Sequence, residues 1–256
     1  QTLNNGDSIS LGDGADTLTA NLNAGTVAPT LTGVETVQLT ALGTATVDFV
    51  NTTGVTSIVN TASSGALTVD NIAALAPVTI TNTNQATTIV FKDAAVAGTG
   101  TSATLNLTGV SGGIITMGGE TDADGGIETV NIVASGTNTT GNIALGTTAT
   151  SVVVTGSGSL DINAGAEFAL FTSFDASAAT GDVDVAFADR AATSTTLDLS
   201  VTTGSGNDTV YLGDGVYNVN LGAGDDTIYL NTNISIINGN SGTDEAIVRA
   251  FDGFVD

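Results

Sequence analysis

The chain has 256 residues, with 3 Lys or Arg against 26 Asp or Glu, a formal charge of −23, and no His or Cys. That balance excludes nucleic acid and anionic membrane surfaces as partners, because both require clustered basic side chains, and it makes cations the natural ones. It also removes thiol nucleophiles, histidine triads, disulfides and zinc held by His or Cys.

Apolar residues make up 41% of the chain and aromatics only 4%, with 33 glycines spread along it. This much apolar surface predicts folding, and small side chains of this kind suit thin stacked coils better than a wide globular core. No apolar run approaches the ~20 residues of a membrane-spanning helix and no signal-peptide pattern is present, so the expectation is a mature or excised piece without membrane insertion.

At the N-terminal end, residues 1–40, the block LGDGADTLT (Leu11 to Thr19) supplies Gly12, Asp13, Gly14 and Asp16. Glu35 follows Asp16 by 19 residues, about one turn of a stacked coil, which predicts two carboxylates facing each other across a cation. The plainer alternative is a pair of solvated turn carboxylates.

Over 41–202, short Val, Ile and Thr runs alternate apolar with polar between Gly, Asn, Asp and Ser punctuation, the pattern of strands and turns. The predicted strands are 44–50, 66–70, 78–81, 88–91, 103–108, 129–134, 151–155, 159–163, 182–187 and 196–202. Asp122 and Asp124 stand just before Glu128 and form a second candidate acidic site, with the same plain alternative. Asp48, Asp70, Asp161, Asp182, Asp184 and Asp198 alternate with apolar residues inside strands and are expected on solvated outer faces. Thr-x-Thr pairs occur at Thr17/Thr19, Thr44/Thr46, Thr79/Thr81 and Thr148/Thr150, but at varying intervals, which argues against the constant rank of an ice-binding face.

From Thr203 to Ile247 the chain divides into five blocks of nine: TGSGNDTVY, LGDGVYNVN, LGAGDDTIY, LNTNISIIN and GNSGTDEAI. This repetition favours a solenoid over a β-sandwich. Two blocks make an 18-residue coil that places Asp208, Asp226 and Asp244 in one column, with Tyr217 and Ser235 on the opposite edge. Carboxylates about 4.8 Å apart on neighbouring rungs repel by about 3 kcal/mol per pair at an effective dielectric near 20, so a cation is expected between them. Gly204, Gly206, Gly222, Gly224 and Gly242 are expected to turn backbone carbonyls toward the same gaps. An oxygen-only site of irregular geometry points to Ca2+ rather than magnesium or zinc.

The blocks resemble the RTX nonapeptide G-G-x-G-x-D-x-U-x, although none has both leading glycines, block two lacks the Asp, and block four lacks both Asp and glycines. With LTGVETVQL (31–39), GGIETVNIV (125–133), TSVVVTG (150–156) and FTSFDASAATG (171–181), nearly all of the chain resembles RTX-type S-layer proteins of Gram-negative bacteria. The resemblance implies an all-β, right-handed parallel β-helix or β-roll solenoid: an RTX-like start over 1–40, an irregular β-helix over 41–202 and a regular β-roll over 203–247. It further implies Ca2+ binding, type I secretion, self-assembly into a two-dimensional lattice on the cell surface, and lipopolysaccharide contact through regions outside this stretch. A calcium-stabilised RTX adhesin or an ice-binding module is the alternative. No catalysis is expected: a carboxylate pair is permitted by residue type, but Lys92, Arg190 and Arg249 are the only cations and there is no Trp. At ~18 residues per coil the rod is expected to be about 65 to 70 Å long.

Overall fold

In the computed structural model, which describes residues 3–121, 125–163, 171–187, 189, 198–230 and 236–248, the chain is a parallel β-solenoid of about ten turns. Among the described residues every pairing between strands is parallel, an isolated antiparallel bridge joins Ala97 and Gly125, and the one helical element is the short turn Asp93–Ala95. One sheet of eleven strands runs the length of the stack, from Thr17–Leu22 to Ile236–Asn238. A six-stranded sheet from Gly25–Val27 to Asn142–Leu145 faces the N-terminal part, and another from Thr137–Thr140 to Glu245–Val248 faces the C-terminal part. Ser8–Ser10 pairs separately with Thr30–Thr32.

The period-two pattern explains the strands. In Thr36–Ala41 the residues Val37, Leu39 and Ala41 point inward and are buried, while Thr36, Gln38 and Thr40 face outward. The same alternation holds in Ser102–Thr108 and Thr129–Ser135, whose inward residues form one continuous core running from Leu3 to Ile228. All ten runs predicted from 44–50 to 196–202 contain a strand. Phe174 and Phe187 meet edge to face at 5.6 Å and fill one of the wider coils. A buried polar chain crosses the core where Asn60 donates to the Thr87 hydroxyl at 2.8 Å and Ser63 donates to Asn60 at 2.5 Å.

Coil length is where the structure departs from expectation. Register partners in the long sheet give 19, 21 and 20 residues (Leu18, Val37, Ile58, Val78), then 27 twice (Leu105, Ile132). Two coils of 22 follow (Val130, Val152, Phe174), then one of 27 to Val201 and two of 18 to Val219 and Ile237. The 18-residue coil thus belongs to the C-terminal blocks alone, and insertions such as 92–101 lengthen the others at their corners. Ten steps of about 4.8 Å separate the first and last strands of the long sheet, about 48 Å rather than 65 to 70 Å.

Absorbing insertions in corners has a second result. Thr26, Thr46, Thr68, Thr88 and Thr116 are direct register partners in one outward file of the N-terminal six-stranded sheet, although 20, 22, 20 and 28 residues separate them. Uneven intervals in sequence therefore do not prevent an even rank in space.

Candidate metal centre

The 18-residue register places Asp208, Asp226 and Asp244 on successive rungs, each immediately before or at the start of a strand and on the inward side. Asp208 and Asp226 are each 1% exposed, whereas Asp244, on the last described rung, is exposed. Each carboxylate accepts the main-chain N–H of the rung before it. The Val183 amide donates to Asp208 Oδ1 at 2.8 Å, the Asp208 amide to Asp226 Oδ1 at 2.8 Å, and the Asp226 amide to Asp244 Oδ1 at 3.3 Å.

The second oxygens differ. Asp208 Oδ2 accepts the Gly204 amide at 3.2 Å and lies beside the Thr203 hydroxyl, which also donates to the Leu221 carbonyl at 2.5 Å. In the next block Leu221 occupies the place of Thr203, and Asp226 Oδ2 is buried without a donor. A buried carboxylate oxygen left without a partner is costly unless a proton or cation meets it. Burial, reinforced by the charges of Asp208, Asp244 and Asp225, pushes the Asp226 carboxyl up to about 6, although the Asp208 amide pulls the other way. Burial also raises Asp208, against the amides of Val183 and Gly204 and the Thr203 hydroxyl.

The glycines have a packing role of their own. A Cβ on Gly222 would strike the Gly204 carbonyl oxygen, one on Gly224 the Gly206 carbonyl, and one on Gly242 the Gly224 carbonyl. Gly222, Gly224 and Gly242 also adopt φ of +84°, +135° and +138°, so coil-on-coil approach and backbone conformation both require glycine. The Gly204 and Gly222 carbonyls accept the Ala223 and Ser241 amides at 2.8 and 3.2 Å. One lone pair of each is thereby taken and one is left over.

A second ladder runs beside the first in the opposite sense. The Asn207 amide donates to Asp182 at 2.7 Å, the Asp225 amide to Asn207 at 2.9 Å and the Thr243 amide to Asp225 at 2.8 Å. Asp182, exposed as expected of a solvated face, anchors this ladder, and the half-buried Asp198 accepts the Val216 amide at 3.1 Å. On that far edge the Asp214 amide also reaches Asp189 at 2.9 Å, while Asp214 Oδ1 is buried without a donor. Asp214 holds the third place of its block, not the sixth, so the nonapeptide pattern does not mark it. The sixth place belongs to the buried Tyr217, whose hydroxyl donates to the Asp214 carbonyl at 3.1 Å; Ser235 lies outside the described residues.

At the N-terminal end the same device recurs. The Asp16 amide donates to Glu35 Oε2 at 2.8 Å, one coil apart, and Asp16 Oδ2 is buried without a donor. Gly12 and Gly14, at φ of +95° and +145°, shape the turn that carries the exposed Asp13, and Gly33 stacks directly on the Gly12 backbone. Glu128 accepts the Thr101 amide, and the Thr101 hydroxyl donates to it at 2.9 Å. That pairing with Thr101 was not anticipated, since Thr101 lies 27 residues upstream. Asp122 and Asp124 lie outside the described residues.

Among the described residues no three acidic side chains converge on one point. Oxygen-only donors, irregular geometry and an orphaned carboxylate oxygen fit Ca2+, which accepts six to eight such ligands, better than octahedral Mg2+ or Zn2+. No family model, curated protein or solved structure matches this chain.

Proposed function

We propose that this chain is a calcium-stapled structural rod of an extracellular surface layer, of the RTX-like S-layer type. One observation carries the calcium reading: Asp226, buried between two like charges, keeps one oxygen without any donor. Asp208 and Asp226 would hold one ion and Asp226 and Asp244 another, with left-over lone pairs of the Gly204 and Gly222 carbonyls beside them. Asp16 and Glu35 would hold a third. Calcium supplies the positive charge that this column lacks. The chain supplies the register, because each aspartate is fixed by an amide of the preceding rung before any ion arrives.

The assembly reading rests on surface chemistry. A charge of −23 keeps copies apart, and filled sites lower that repulsion, while long parallel sheets offer flat repeated faces for lateral contact with other copies. Extracellular calcium modules bind in the ~0.1 to 1 mM range, so the sites would be empty before export and filled outside the cell. Light scattering and electron microscopy during a calcium titration test this. Ordered sheets at millimolar calcium support the lattice, and a folded, strictly monomeric particle refutes it.

The threonine file favours a second reading, an ice-binding or adhesin module. Its five threonines stand about one rung apart in one file of the sheet. An ice-recrystallisation assay separates the two: inhibition abolished by Thr68→Tyr supports the second reading, and no inhibition removes it.

A further inference from the structure

The C-terminal six-stranded sheet has an open groove of about 450 Å³ on its outer face, away from the aspartate column. Register explains why it is there. One outward file reads Thr139, Asp161, Asp184 and Thr209, and the next brings Ala186 against Tyr211 and Tyr211 against Tyr229. The step from alanine to tyrosine makes an end wall, because side chains stand perpendicular to the sheet. Tyr211 and Tyr229 stack with centroids 4.5 Å apart and planes within 5°, so the wall is a rigid flat ring pair rather than a single mobile side chain. Tyr211 is 36% exposed and lines the groove with Ala186.

Asp161 and Asp184 lie along the floor, direct partners on adjacent strands. Partial desolvation, then the Asp184 charge, raises the Asp161 carboxyl. The floor therefore offers a strong hydrogen-bond acceptor at Asp184, a carboxyl more ready to hold a proton at Asp161, and the Thr139 hydroxyl, in single file along the solenoid axis. An anionic ligand is excluded by the two acids. A single basic side chain would engage one ring and one acid, and would leave most of a groove lined from four rungs unfilled.

We propose that this groove binds the end of a neutral polysaccharide lying along the solenoid axis, with the C–H edge of the terminal sugar packed against the exposed face of Tyr211 and the hydroxyls of consecutive residues held by Asp184, Asp161 and Thr139. The rung spacing is close to the rise of one residue in an extended glycan, so each rung meets one sugar. The inference does not depend on the calcium reading, and the volume lies within the range of ligand sites.

The test is tyrosine fluorescence and NMR titration of the full chain at 0.15 M salt with cellohexaose, maltohexaose and mannohexaose, each compared with hexagalacturonate and an Ac-Gly-Arg-Gly amide. The proposal expects at least one neutral hexasaccharide to bind at least tenfold more tightly than hexagalacturonate. Tyr211→Leu should weaken that binding at least tenfold and Asp184→Asn about fivefold. Ala186→Phe, which removes no proposed contact but fills the groove, should abolish it, with circular dichroism confirming that each variant keeps the β-signal. Binding by none of the three, binding unchanged in Ala186→Phe, or preference for the arginine peptide overturns the proposal.

Discussion

Asp226→Asn should make the metal-free protein more stable and the calcium-loaded protein less so. Asparagine keeps an oxygen for the Asp208 amide, now bonded at 2.8 Å, but removes the charge whose second oxygen has no donor. Each neighbouring carboxylate, about one rung away, costs about 3 kcal/mol at an effective dielectric near 20. The exposed Asp244 is screened and contributes less, and the new amide must find an acceptor, which offsets part of the gain. A net relief of about 2 kcal/mol remains, and for a chain of this size each kcal/mol moves the melting temperature by about 2 to 4 °C. With excess chelator at pH 7.5 the variant should therefore melt about 4 to 8 °C above the parent. In calcium at 100 times its dissociation constant, each occupied site adds about 2.7 kcal/mol to the parent. The order should then invert, because the variant loses a ligand shared by two sites. Thermal melts by circular dichroism read both arms. A variant that melts below the parent in chelator would show that the Asp226 oxygen is satisfied within the protein, and one that melts above it in calcium would show that no ion occupies the sites at Asp226.

The pH dependence has a definite sign. The folded Asp226 carboxyl sits at about 6 against an ordinary value of 3.8, so the folded state binds its proton more tightly than the unfolded one. In chelator this group adds stability below pH 4, loses it as pH rises through 6, and does so in the parent but not in Asp226→Asn; parallel melts of the two between pH 4.5 and 7.5 check this. Gly224→Ala should cost more than Gly54→Ala, although both positions have positive φ. The first Cβ would strike the Gly206 carbonyl while the second meets open space, so urea denaturation should give a loss of more than about 2 kcal/mol against about 1 kcal/mol. Thr203→Val should destabilise by about 1 to 2 kcal/mol in chelator, since it removes a buried hydroxyl bonded to the Leu221 carbonyl and adjoining Asp208. An unchanged melt would sink that reading.

Period-two alternation and the nine-residue blocks made the solenoid legible, because both are local signals repeated many times. The column of Asp208, Asp226 and Asp244 was legible for the same reason: an unbroken 18-residue period fixes vertical neighbours without knowledge of the corners. The middle coils were not. From Val78 to Leu105 to Ile132 each turn takes 27 residues, and nothing in a strand pattern reports how many residues a corner absorbs. The threonine rank and the Thr101 to Glu128 contact were hidden behind those insertions. Why Asp226 and Asp208 differ was equally invisible until Leu221 and Thr203 were seen at matching positions beside them. The Asp161 and Asp184 pair was read as a solvated face; the groove beside it depends on the step from Ala186 to Tyr211 in the neighbouring file.

Calcium stoichiometry is the most direct test of the central claim. Bound calcium per chain would be counted by equilibrium dialysis for the parent and for Asp208→Asn, Asp226→Asn and Asp244→Asn, at 0.15 M salt and millimolar free calcium. If the aspartates form one column in 18-residue register with ions between them, Asp226→Asn loses two ions and each neighbour loses one. Equal losses in all three variants, or a parent that binds no calcium while folded, would contradict the account.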